Sequence, residues 1–332
     1  MMGLAPSFAA EATRWISGVH DAITGFFATT DGRGSFREDR WERPGGGGGH
    51  SRVLTDGAVF EKAGVNRSAV AGPLEAGMAG RLALPGGALE GATFFATGVS
   101  VVAHPRSPMV PTVHLNVRYF ELTGADGTVF DAWFGGGTDL TPTWPFPEDA
   151  VHFHQALATL CGRHGPALYP RYKAWCDEYF RNHHRDGEAR GVGGVFFDHL
   201  RPGGDHGLGF EQLHAFAHDI GLSFPLAYGP IVARRRDLPW GERERRFQAF
   251  RRSRYAEFNL LHDRGTHFGI QSGARAESVL MSLPPEARWE YAPVFEPGSP
   301  EAALQAMLAP RDWLMAGHQK TPSSSNLLSR DP

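Results

Sequence analysis

The segment PTVHLNVRYFE, residues 111–121, alternates polar and apolar side chains. The polar residues fall on every second position: His114, Asn116 and Arg118. The residues between them are Leu115, Val117 and Tyr119. Because successive side chains of a strand point to opposite faces, one face is apolar and the other carries an imidazole, an amide and a guanidinium. The segment predicts a strand whose polar face is either solvated or the floor of a site.

Two neighbouring segments also have the composition of strands. ATFFATGVSVVAHP, residues 92–105, is rich in β-branched and aromatic residues, and GTVFDAWFG occupies 127–135. The turns PRSP and TGADG separate them from the opening segment, and such short connections favour an antiparallel meander. In that arrangement Ser100 and His104 share a face with His114, Asn116 and Arg118.

The rest of the chain alternates between helical and extended patterns. Helices are predicted at 8–28, from Pro147, at 169–184, twice within 209–235, at 241–255 and at 274–281. A strand is predicted at 191–200, and a hairpin over 255–273 turning at 263–265. The glycine-rich segment 43–54 is either a flexible connector or a loop lying against a ligand. The layout is α+β, a large antiparallel sheet flanked by helices in one domain, residues 1–314, with a disordered tail at 315–332.

Composition excludes several classes of protein. The net charge of −3 over 332 residues gives no basic field for nucleic acid. No apolar run approaches the ~20 residues of a membrane span, and the N-terminus lacks a signal pattern, so a cytoplasmic protein is expected. Cys161 and Cys176 resemble buried small hydrophobes of a reducing compartment. All but three of the 33 basic residues are arginine, which reflects coding bias, a site for carboxylates or phosphates, or both.

Other candidate functional residues stand in less regular patterns. In WFGGGTDLTP, residues 133–142, three glycines permit close approach of a ligand, and Asp139 is either a buried anion or a turn residue. Histidines are frequent, but no metal-binding spacing such as H-E-x-x-H is present. The charge run ERERRFQAFRRSRY, residues 242–255, is interpreted as a solvated helix face, with nucleic-acid binding a weaker alternative.

Taken together, these segments resemble the oxygen-dependent coproporphyrinogen III oxidase family. The resemblance runs in order over roughly residues 10–314 and includes the strings PGGGGGHSRV, VFEKAGVN, GVSVVAHP, HLNVRYFE, WFGGGTDLTP, YPRYKAWCDEYF, RGVGGVFFD and SLPPEARWEY. It implies oxidative decarboxylation of two substrate propionates to vinyl groups, with O2 consumed, CO2 released and protoporphyrinogen IX formed. It also implies that no cofactor is required and that a homodimer forms through residues 255–290.

The resemblance also implies roles for individual residues. His114 matches the family's proton donor, and Asp139 an acid that meets the pyrrole nitrogens. Positions that contact substrate are Ser100, Asn116, Val117, Arg118, Gly273, Ala274 and Arg275. Positions described as binding a divalent metal in some members are His104, His114, His154 and His184. Ala274 departs from the family's usual glycine, and the tail lies beyond the family's usual end.

Two other functions fit the same residues. One is a histidine-ligated metal oxygenase or hydrolase, and the other is a tetrapyrrole-binding protein without catalysis. Binding of a tetrapyrrole explains the polar face of residues 111–121. Guanidinium forks match its carboxylates, and a carboxylate accepts hydrogen bonds from its ring N–H groups.

Overall fold

A seven-stranded antiparallel sheet organises the chain in the computed structural model, which describes residues 7–43, 45–75, 77, 80, 90–271 and 275–316. Its strands, in spatial order, are β1 (Phe36–Glu42), β2 (Gly47–Thr55), β3 (Phe60–Pro73), β4 (Thr93–Pro105), β5 (Thr112–Thr123), β6 (Val129–Thr141) and β9 (Gly193–Leu200). A small ladder joins β7 (Arg181–Asn182) to β8 (Glu188–Ala189).

Helices flank the sheet. They are α1 (Ala9–Asp31), α2 (Pro147–Gly162), α3 (Leu168–Tyr179), α4 (Phe210–Gly221), α5 (Phe224–Ala227), α6 (Gly229–Arg235), α7 (Glu242–Leu261), α8 (Arg264–Gln271), α9 (Ala276–Leu280), α10 (Pro300–Met307) and α11 (Trp313–Ala316). A 3-10 turn covers His183–Arg185. This arrangement confirms the predicted α+β class. No helix of the described segments has the length and apolar character of a membrane span.

The predicted antiparallel meander, with its polar residues on one face, is confirmed. Ser100 of β4 pairs with Asn116 of β5, and Asn116 pairs with Gly137 of β6. The polar side chains therefore share one face, here called the cleft face. The alternate residues Leu115 and Val117 are fully buried in the main core on the opposite face, against α1 and α4.

The glycine-rich segment is not a connector. Gly47–Thr55 forms β2, which pairs with β1 and β3, and neither of those strands was predicted. A Cβ on Gly49 would lie 2.3 Å from the Trp41 ring, so the glycine makes room for the indole. The glycines thus serve close packing of strands, which alternation of side chains cannot reveal.

The predicted hairpin at 255–273 is wrong. Helix α7 continues to Leu261, and α8 begins at Arg264. Tyr255, Phe258 and Asn259 are spaced at three and four residues and all are buried, which is the period of a helix. Asp263, taken as a turn residue, accepts hydrogen bonds from the backbone N–H and hydroxyl of Thr266 at 2.7 and 2.9 Å and so begins α8.

Four further predictions need correction. The helix expected over 169–184 ends at Tyr179, and three helices rather than two lie within 209–235. Strand β6 runs through the glycines of 135–137 to Thr141, so they lie inside the strand instead of at its end. Residues 315 and 316 of the expected tail end α11, and 317–332 lie outside the described residues.

The basic run of α7 is also not a solvated face. Its buried arginines are Arg251, Arg252 and Arg254. Arg252 pairs with Glu61 of β3 at 2.8 Å, and Arg251 with Glu188. These ion pairs fix α7 against the cleft face near the end of β4, which positions one wall of the site.

A buried histidine makes stability depend on pH. His20 of α1 is fully buried, and burial together with the Arg52 charge lowers its pKa to about 4. The unfolded chain takes up a proton near pH 6.5 and the fold does not, so stability is complete above pH 6.5 and is lost as pH falls toward 4. Between pH 7.5 and 5, urea unfolding should show wild type losing about 2 kcal/mol more than His20→Asn. Equal losses would contradict this assignment.

Candidate active site

Small side chains form a trough across the middle of the cleft face. One row of neighbouring positions runs Ser51, Asn66, Ser100, Asn116, Gly137 from β2 to β6. The adjacent row pairs Ser68 with Gly98 and Gly98 with Arg118, which lies opposite Gly135. With few bulky side chains in these rows, a flat ligand can approach the sheet closely.

Arg118 lies across the trough toward β9. Its guanidinium donates to Asn116 Oδ1 at 2.8 Å and pairs with Asp198 Oδ1 at 2.8 Å. A Cβ on Gly135 would stand 2.8 Å from Arg118 Nε, so this crossing requires a glycine. The Arg118 side chain remains 36% exposed, which leaves donors available to a bound carboxylate.

His114 and Asp139 form a paired unit at the end of the trough covered by α7. They are opposite each other on β5 and β6, and His114 Nδ1 lies 2.8 Å from Asp139 Oδ1. His114 is partly exposed and its ring packs on Phe180, whereas Asp139 is buried. A carboxylate at Nδ1 fixes the orientation of the ring and leaves Nε2 for exchange of a proton with a ligand.

Arg190 completes this unit from beneath. One terminal nitrogen of Arg190 donates to both Asp139 oxygens at 2.8 and 2.6 Å, and the other donates to Asn259 at 2.9 Å. Burial acts to raise the pKa of Asp139, but the Arg190 charge and the His114 hydrogen bond outweigh it and hold that pKa below its ordinary value. The carboxylate is therefore ionised, and its partners are protein groups rather than an open cleft.

Aromatic rings enclose both ends of the trough. Phe180 and Tyr255 stack on the Arg190 guanidinium, with ring centres 4.1 and 4.5 Å from its central carbon. At the other end a ladder of rings crosses four strands: Phe94, Phe120, Trp133 and His199, with centroids 5.8, 4.4 and 5.1 Å apart. The polar trough is thus bounded by apolar walls, as expected of a small-molecule site.

Four residues predicted to contact substrate remain: Val117, Gly273, Ala274 and Arg275. Arg275 pairs with Asp39 of β1 at 2.9 Å, and Asp39 is opposite Ser51 on the cleft face. Four strand spacings, about 19 Å, separate β1 from β5, so Arg275 and Arg118 are too far apart to bind one carboxylate together. Val117 is buried in the main core, and its contact with a ligand would involve its main chain. Gly273 and Ala274 lie outside the described residues.

The structure does not bring the four candidate metal ligands together. His104 bonds Thr112 and the Ser282 carbonyl at 3.3 and 2.9 Å, and His154 bonds the Tyr169 hydroxyl and the Val192 carbonyl at 2.9 and 3.0 Å. His184 contacts His262 and Glu257. Within the described segments no group of three His, Cys, Asp or Glu side chains could hold a metal. The four histidines therefore do not fit a single metal site in this chain.

Sequence reasoning missed three residues of the site. Arg190 precedes β9 without any local pattern, and Asn259 was assigned to a hairpin. Asp198 could have been found, because it follows Phe196 by two residues, and Phe196 pairs with Gly137 of the trough.

A comparison with known protein families agrees with this geometry. The family model described as coproporphyrinogen III oxidase matches residues 11–313 of the chain. The match includes every strand of the sheet and every residue of the trough.

Proposed function

Because the chain belongs to the coproporphyrinogen III oxidase family, we propose that it converts two propionates of coproporphyrinogen III to vinyl groups with O2 as oxidant, giving protoporphyrinogen IX in haem biosynthesis. The observation that supports this most strongly is the His114–Asp139 pair in one trough with Arg118. A proton-transfer group and a carboxylate clamp are what the reaction needs from the protein.

Each turnover at one propionate balances without a further reactant. The bond between the carboxylate and the side-chain methylene breaks and CO2 leaves, while the methylene next to the ring loses a proton and the pair of electrons reaches O2. The products are a vinyl group, CO2 and H2O2, and one proton must come from the protein. We assign that proton to His114 Nε2, which Asp139 orients through Nδ1.

The arginines select a substrate with several carboxylates. Arg118 presents a guanidinium to one propionate, and Arg275 to another at the far side of the trough. Ser100 and Asn116 lie between them on the trough floor. Carboxylate binding at separated points orients the macrocycle over His114, and the ring walls keep water from the reacting side chain.

Product analysis tests this function. Purified protein with coproporphyrinogen III in air should give a dicarboxylate porphyrinogen. After oxidation of the products, chromatography should detect it as the dicarboxylate porphyrin. The same mixture without oxygen should leave the tetracarboxylate unchanged. Conversion without oxygen, or no conversion in air, would contradict the proposal.

Removal of metal should have little effect on turnover. Because His104, His154 and His184 are bonded at separate places, we propose that the reaction needs no metal held by them. Protein dialysed against EDTA should retain most of its oxygen uptake, and added Mn²⁺ or Zn²⁺ should not raise it several-fold. Inactive dialysed protein that recovers with one metal would favour the metal-oxygenase alternative.

Exposed apolar side chains support a homodimer through residues 255–290. Leu260, Leu261, Ile270 and Leu280 are 43, 54, 54 and 37% exposed. Burial of these side chains against a second copy would remove them from water. Sedimentation equilibrium should give a dimer, and Leu261→Glu should weaken it. The control is Leu226→Glu, at an exposed leucine of α5, which should leave the dimer unchanged. A monomeric wild type would contradict this.

A further inference from the structure

We propose that Asp198 is a substrate-binding residue, and that its carboxylate accepts hydrogen bonds from the pyrrole N–H groups of the macrocycle. The inference rests on the proposed function, since it requires a tetrapyrrole in the trough. The family resemblance gives the contact with the pyrrole nitrogens to Asp139, whereas this proposal gives it to Asp198 of β9.

Asp198 lies over the trough at a β-bulge. Between the pairs Gly136↔Phe197 and Phe134↔Leu200, β9 has two residues where β6 has one, so Asp198 and His199 together oppose Gly135. A bulge re-aims side chains, and bulges occur often beside active sites. Here it turns the carboxylate onto Arg118 and the imidazole onto Trp133.

The backbone at this bulge is strained. His199 has φ of 50°, a left-handed conformation that is unfavourable for a residue with a side chain. Strain of this kind persists where surrounding structure or function requires it. Here it accompanies the placement of Asp198 beside Arg118 at the trough.

One oxygen of Asp198 is free to bind a ligand. Oδ1 accepts from Arg118 at 2.8 Å and from the His199 backbone N–H at 2.9 Å. Oδ2 has His199 Nδ1 at 3.6 Å, beyond hydrogen-bond distance, and no hydrogen bond to it occurs within the described part of the chain. The side chain is 10% exposed, so the carboxylate is accessible to a ligand but largely shielded from water.

Asp139 is poorly placed for the same task. Both of its oxygens already accept hydrogen bonds, from His114 and Arg190, and its side chain is 2% exposed. A macrocycle would have to displace the Arg190 guanidinium to reach it.

The charge of Asp198 suits N–H donors. Burial acts to raise its pKa, but the Arg118 charge outweighs this and keeps the pKa below its ordinary value. An ionised carboxylate only accepts hydrogen bonds, and those bonds are strengthened by its charge. With Arg118 on a propionate and Asp198 on the ring nitrogens, one ion pair of the protein contacts both polar parts of the substrate.

The test is anaerobic binding of coproporphyrinogen III, followed by tryptophan fluorescence. Asp198→Asn should weaken binding about tenfold, the scale of losing a charge-assisted hydrogen bond. Asp131→Asn is the matched control, because Asp131 pairs with Arg201 on the same face at 2.7 and 2.8 Å, and it should bind like wild type. Binding by Asp198→Asn within twofold of wild type would overturn the proposal.

A double variant separates direct contact from mere support of Arg118. If Asp198 contacts the macrocycle, Arg118→Ala/Asp198→Asn should bind several-fold more weakly than Arg118→Ala alone. Equal binding would show that Asp198 acts only through Arg118. If Asp198→Asn does not fold, Asp198→Glu keeps the charge but displaces the carboxylate, and the same tenfold loss is expected. Failure of wild type to bind or turn over coproporphyrinogen would instead contradict the proposed function.

Discussion

Arg118→Ala should lower kcat/KM for coproporphyrinogen III by about two orders of magnitude or more, with the fold retained. The substitution removes the guanidinium that faces the trough and leaves Asp198 without its partner at 2.8 Å. The propionate that Arg118 is proposed to bind would then have no positively charged partner at this position. Arg118→Lys should recover only part of the activity, because an ammonium cannot reach Asn116, Asp198 and a propionate in one plane.

Arg201→Ala is the control for this result. Arg201 also lies on the cleft face, pairs with a carboxylate, Asp131, and stacks on Trp133. It lies beyond the aromatic ladder, so its loss should change kcat/KM by only a few-fold. Near-normal activity of Arg118→Ala, with circular dichroism and thermal unfolding unchanged, would exclude Arg118 as the clamp.

Asp139→Asn should lower kcat by about two orders of magnitude while substrate binding changes little. The amide cannot stabilise a protonated His114, and its NH2 group can impose the wrong tautomer on the ring. Since the carboxylate contacts are proposed to come from Arg118 and Arg275, the loss should appear in kcat, as expected of an interaction made mainly in the transition state. Steady-state oxygen uptake beside an anaerobic binding titration measures both quantities.

The same substitution should also destabilise the protein, which requires a matched control. Arg190 would be left as an uncompensated buried charge, a change that costs about 3–5 kcal/mol. Asp149→Asn breaks another buried ion pair, with Arg235 at 2.8 Å, between α2 and α6 and away from the trough. It should lower stability by less, because Arg235 keeps Glu148 as a partner at 2.6 Å, and it should leave kcat unchanged. Unchanged kcat in Asp139→Asn would show that the carboxylate has only a structural role.

The sequence predicted those features that depend on local periodicity. The alternation in 111–121 was sufficient to place His114, Asn116 and Arg118 on one face, and the short turns were sufficient to order three strands. Asp139 was correctly associated with a glycine-rich segment, but not with its partners. The charge that ionises it belongs to Arg190, which is 51 residues away and has no periodic signal of its own.

Other features depended on packing that no local pattern records. Gly49 makes room for the Trp41 ring in β2, so a run of glycines formed a strand where a connector was expected. The turn residues at 263–265 suggested a hairpin over 255–273, yet Tyr255 packs on His104 of β4 and on Arg190, and Asn259 accepts a hydrogen bond from Arg190, from positions on one face of a helix. The arginines of α7 suggested a solvent-exposed helix face, because their acidic partners, Glu61 and Glu188 among them, are distant in sequence.

Oxygen uptake with coproporphyrinogen III, measured together with CO2 release, decides whether this protein is an oxygen-dependent decarboxylase. Wild-type protein should consume one O2 for each CO2 released, H2O2 should accumulate in the same proportion, and Arg118→Ala and Asp139→Asn should lose both signals together. Tight binding of coproporphyrinogen III without oxygen uptake, or CO2 release that continues when oxygen is absent, would contradict this activity.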